Sequence, residues 1–72
     1  MKAETTLEDY KRYIVECIDN YYEETEDEDK REDYLSEAIS MANRLANFDD
    51  KYYGVKLGYL YKVLKNELGE EQ

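Results

Sequence analysis

Apolar residues recur at steps of three and four along most of the chain, the spacing of one face of an α-helix. Leu7, Tyr10, Ile14, Cys17 and Tyr21 form the first stripe, and Ile18 widens it. Glu8, Asp9, Arg12, Glu16 and Asp19 fall on the other side. Thr5 stands three residues before Glu8, the spacing of a capping box, and so marks the helix start. A second stripe holds Tyr34, Leu35, Ala38, Ile39, Ala42, Leu45 and Ala46. Its alanines, at four-residue spacing, permit a neighbour to approach closely. Asp49 or Asp50 can cap a third helix, whose stripe is Tyr53, Leu57, Leu60, Leu64 and Leu68. Gly69 is placed to end that helix, and Lys62 and Lys65 complement its C-terminal dipole.

The pattern predicts helices over about residues 6–22, 26–47 and 50–68. Residues 23–33 contain no apolar side chain. One continuous helix through them would leave both stripes in water, so the chain must turn near residues 23–25. The expected fold is all-α: a single domain forming a small up-down-up three-helix bundle with short connections. The absence of proline and the presence of only three glycines fit this reading.

Length tightens the picture. A chain of 72 residues buries only about 60% of its unfolded surface, so the stability margin is thin. Idealised helix packing, self-association or both must supply the core. Nine of the ten aromatic residues are tyrosines, which suit half-buried positions and contact surfaces.

Charge and residue types exclude most chemistries. With no histidine, the usual general base and the Ser-His and Cys-His pairs are missing. One cysteine and no histidine leave no ordinary zinc site. An EF-hand loop opening at Asp27 would need glycine at Glu32 and glutamate at Ala38. Paired carboxylates need a cleft to separate their pKa values, and a domain this small has little room for one. Neither catalytic residues, nor a metal site, nor a cofactor is expected, and the chain is not expected to be an enzyme. The segment "LGYLY" lacks the partner residues of a tetratricopeptide repeat, since one period earlier stand Ser36, Ser40 and Asn43.

A net charge of −9 disfavours direct binding to nucleic acid or to anionic membranes and favours basic partners. Cys17 cannot form an internal disulfide, and no apolar run approaches membrane-spanning length, so a cytoplasmic protein is expected. Cys17 itself lies on the core stripe and reads as a small buried apolar residue.

Two surfaces stand out. The first is the acidic run Glu23, Glu24, Glu26, Asp27, Glu28, Asp29, Glu32 and Asp33. These eight acids, less Lys30 and Arg31, carry −6 of the total charge. Thr25 and Glu28 have capping-box spacing, and Glu26–Lys30 and Asp27–Arg31 are i,i+4 pairs. If the whole run were helical, it would carry about one carboxylate per 2 Å of axis, against ~1.7 Å per charge in duplex DNA. This suggests a small acidic inhibitor of phage or mobile-element type. Its acidic hairpin would mimic nucleic acid on the basic surface of a nucleic-acid-binding protein.

The second surface is the outer face of the third helix: Gly54, Val55, Gly58, Tyr59, Tyr61, Lys62 and Lys65. Glycines four apart would open a shallow groove flanked by tyrosines. The alternative expectation is a structural or assembly protein that pairs with itself, as a homodimer for instance, through this face.

Overall fold

The computed structural model describes residues 7–69. They form helices α1 (Leu7–Glu23), α2 (Glu28–Phe48) and α3 (Leu57–Glu67), with a 3-10 turn at Asp50–Tyr52. The chain is an all-α three-helix bundle, as its periodicity predicts. Thr5, and with it the proposed capping box of α1, lies outside the described residues.

The α1 helix sits at the centre. It packs against both α2 and α3, and α2 also packs against the 3-10 turn. Its buried residues therefore span a wide arc: Ile14, Val15, Cys17 and Ile18. Ala38, Leu45 and Ala46 close the core from α2, Leu60 and Leu64 from α3, and Tyr52 from the turn. Ala38 and Ala46 are buried, so small side chains do let α2 approach α1 closely. Ile39 is 46% exposed, because α2 has a neighbour on only one side there.

The third predicted helix is the element that changes. It is not continuous from residue 50. Asp49 caps the 3-10 turn by accepting from the Lys51 amide at 3.1 Å. Gly54 then adopts φ +73°, a left-handed conformation that ends the turn and that glycine takes without steric cost. The break shifts the inward register by one residue: Tyr52 is buried and Tyr53 is 82% exposed. Residues 53–56 carry the chain back along the bundle before α3 begins. An up-down-up path would set α3 parallel to α1, but the return segment reverses it. Lys11 pairs with Glu67, whereas Asp19, further along α1, meets the earlier Tyr61 of α3. Both α2 and α3 thus run antiparallel to α1. Gly69, at φ +75°, ends α3 as its position predicts.

Candidate partner-binding apex

The acidic run spans the turn between α1 and α2, at one end of the bundle. Its local geometry follows from two carboxylates that bind backbone amides. Glu24 accepts from the amides of Asp27 at 2.9 Å and Glu26 at 3.3 Å, which closes the four-residue link. Asp27 accepts from Asp29 at 3.1 Å and Lys30 at 3.2 Å, so it is the N-cap of α2. The capping box read from Thr25 and Glu28 is therefore displaced by two residues. Aspartate at position 27 satisfies the same orphan amides directly, and α2 starts at Glu28.

The basic residues of the run separate. Arg31 does not pair with Asp27. Its Nε donates to the Tyr21 carbonyl at 3.1 Å, and its guanidinium lies 4.2 Å from the Tyr21 ring centre. This cation ties the start of α2 to the end of α1. Lys30 remains exposed beside Glu26.

Six carboxylates are left facing water: Glu23, Glu26, Glu28, Asp29, Glu32 and Asp33. Glu24, Glu26, Asp27, Glu28, Asp29 and Lys30 border an open concavity of about 690 Å³. A uniform eleven-residue acidic helix is not formed, because the link interrupts it. Within α2, Glu28, Asp29, Glu32 and Asp33 still place four carboxylates on about 9 Å of axis, roughly one per 2 Å. The expected carboxylate spacing survives over a turn and a half rather than three turns, with Lys30 and Arg31 on the same stretch. Among the described residues, no three acidic or thiol side chains converge as metal ligands.

The second predicted surface is divided. Gly54 lies outside α3 and Gly58 is only its second residue, so the pair does not form a groove on one helix. A Cβ on Gly58 would stand 3.8 Å from the Tyr22 hydroxyl, so this position faces α1. Tyr61 also turns inward: its hydroxyl donates to the Asp19 carboxylate, and its ring meets Tyr22 edge-on at 5.7 Å. Lys65 lies over the Tyr61 ring and donates to its hydroxyl at 3.4 Å. Tyr59 and Lys62 remain exposed, beside half-buried Val55 and Val63.

A polar cluster that periodicity did not reveal closes the opposite end. Glu67 Oε1 accepts from the Tyr52 hydroxyl at 2.5 Å and from Lys11 Nζ at 3.0 Å, while Oε2 pairs with Lys51 Nζ at 2.9 Å. The Tyr52 ring lies near both ammonium groups, at 5.7 Å from Lys11 and 5.2 Å from Lys51. Burial pushes the Glu67 carboxyl up, but the hydrogen bonds from Tyr52, Lys51 and Lys11 outweigh it and hold its pKa at about 2. One signal was available: an acid in the last turn of a helix opposes the dipole, so it needs partners from elsewhere.

The chain matches no family model, and neither curated proteins nor solved structures give a significant match to it. No helix among the described residues is long and apolar enough to cross a membrane.

Proposed function

We propose that this protein is a non-catalytic interaction module, a small acidic inhibitor that binds the basic surface of a nucleic-acid-binding protein through its α1–α2 apex. The observation that carries this reading is the concentration of charge. Residues 23–33 hold eight acids and two bases, and one of those bases is folded back onto Tyr21. Six carboxylates project from a turn whose shape is fixed by two others. A backbone already fixed at this turn loses little freedom when its carboxylates meet arginines and lysines, which favours binding. The α2 segment offers a footprint of a few phosphates, so it suits the contact surface of a basic groove rather than its full length. A mobile-element origin is part of the same proposal.

The test is capture of partners from the source cell on the immobilised protein, at low and high salt. A basic nucleic-acid-binding protein should be retained at low salt and released at high salt. The triple variant E26Q, E28Q and D29Q should lose it. Glu24 and Asp27 are spared because they build the turn. Retention by the triple variant equal to that of the parent contradicts the proposal.

A further inference from the structure

The two seams of this bundle differ in chemistry. Between α1 and α2 the core is apolar, with Ile14, Ile18, Ala38 and Leu45 fully buried. Two polar links cross that seam, Tyr13 to Glu37 at 3.0 Å and Arg31 to the Tyr21 carbonyl at 3.1 Å, and each carries a single charge. The α3 helix rests chiefly on α1, and there opposite charges meet at both ends of the contact. At one end Glu67 sits between Lys11 of α1 and Lys51 of the turn, at 3.0 and 2.9 Å. At the other, the Tyr61 hydroxyl is shared by Asp19 of α1 and Lys65 of α3.

Little else holds α3 in place. It buries only Leu60 and Leu64, and its N-cap, Lys56, makes no side-chain cap bond. Lys56 and Glu67 both oppose the helix dipole, so 11 residues of this sequence do not persist as a helix alone. Residues 53–56, with the left-handed Gly54, join it to the turn and can act as a hinge. Charge also divides at this point. Residues 7–53 hold fifteen acids and six bases, a net −9, whereas residues 54–69 hold one acid and three bases, a net +2. Glu70 and Glu71 lie outside the described residues.

We infer that α3 is a strap latched by charge, which lifts from α1 on its own and lifts more readily as salt rises. Salt acts on the remainder in the opposite sense. It screens the repulsion within the acidic α1–α2 hairpin and tightens it, while it weakens the attraction that holds the strap. The Lys51 side chain is 56% exposed and that of Glu67 25%, so ions reach the latch. Lifting uncovers Val15 of α1 and the inner face of α3 without separating α1 from α2. The inference does not depend on the apex having any partner.

Amide hydrogen exchange of the full chain, followed by NMR in dilute and in concentrated sodium chloride, tests it. The screening length falls from ~30 Å to ~3 Å between about 0.01 M and about 1 M salt. Over that range the opening constant of the α3 amides should rise at least about threefold, the scale of one or two partly exposed ion pairs. The slowest amides of α1 and α2 should exchange more slowly over the same range. The variant D19N and E67Q keeps the shape of both contacts and removes their charge. Its α3 should open more readily at low salt and lose most of the salt response. Should that variant unfold, K62E, at an exposed site, brings residues 54–69 to zero net charge and should act in the same direction. The inference is overturned if α3 amides slow with salt alongside those of α1 and α2. It is equally overturned if they exchange only through global unfolding, or if the charge variant keeps the parent's salt response.

Discussion

Single side chains fix the two ends of this bundle. Asp27 terminates the acidic link and starts α2, so D27A should destabilise the fold by about 1 kcal/mol in urea titration, and D27N by less. Gly54 has open space where a Cβ would stand, so G54A should act through backbone strain alone, costing about 1 kcal/mol. Glu67 adds a pH dependence. Its carboxyl is held at about 2, below its ordinary value, so the folded state favours the ionised form. That contribution is fully present at neutral pH and is lost as pH falls from about 5 through about 2. Lys51 is 56% exposed, so E67Q should lower stability at neutral pH by only about 1 kcal/mol. The difference between parent and E67Q should vanish at the acid end of that window. A constant difference in stability across it would contradict the role assigned to Glu67.

At the scale of elements, α1 and α2 were legible because their contact is apolar and periodic. Ile14, Ile18, Ala38 and Leu45 stand where the stripes place them. The docking of α3 was not legible, because the α1 line that faces it is mostly polar. Lys11, Val15 and Asp19 share one side of α1, and only Val15 looks like core. Lys11 reaches Glu67, and Asp19 accepts from Tyr61, so charges that read as solvated surface form the contact. The break at Gly54 was hidden for another reason: a glycine near a helix start and a glycine in a turn look the same in a short apolar pattern. The acidic apex was legible as a cluster of charge. Its interruption was not, since Thr25–Glu28 and Asp27 offer competing caps. The resulting α3 has 11 residues and no side-chain N-cap, so it depends on its tertiary contacts. Hydrogen exchange should show α3 amides opening more readily than those of α1. Y61F, which removes the bond to Asp19, should widen that gap and cost about 1 kcal/mol overall.

At the scale of the whole molecule, unbalanced charge opposes a small core. Added salt screens the −9 charge, so the melting temperature should rise between low and moderate salt. E26Q, E28Q and D29Q should raise it too, since the exposed apex carboxylates repel one another. A variant more stable than the parent would show that the apex costs the fold stability despite the helix dipole favouring Glu28 and Asp29, the signature expected of a surface kept for binding. The measurement that bears most directly on that claim is partner capture from the source cell by the parent and by the E26Q, E28Q and D29Q variant, at matched salt. The account predicts a basic nucleic-acid-binding protein on the parent that is missing from the variant and released from the parent by salt. Recovery of no basic protein, or of the same protein on both, would contradict it.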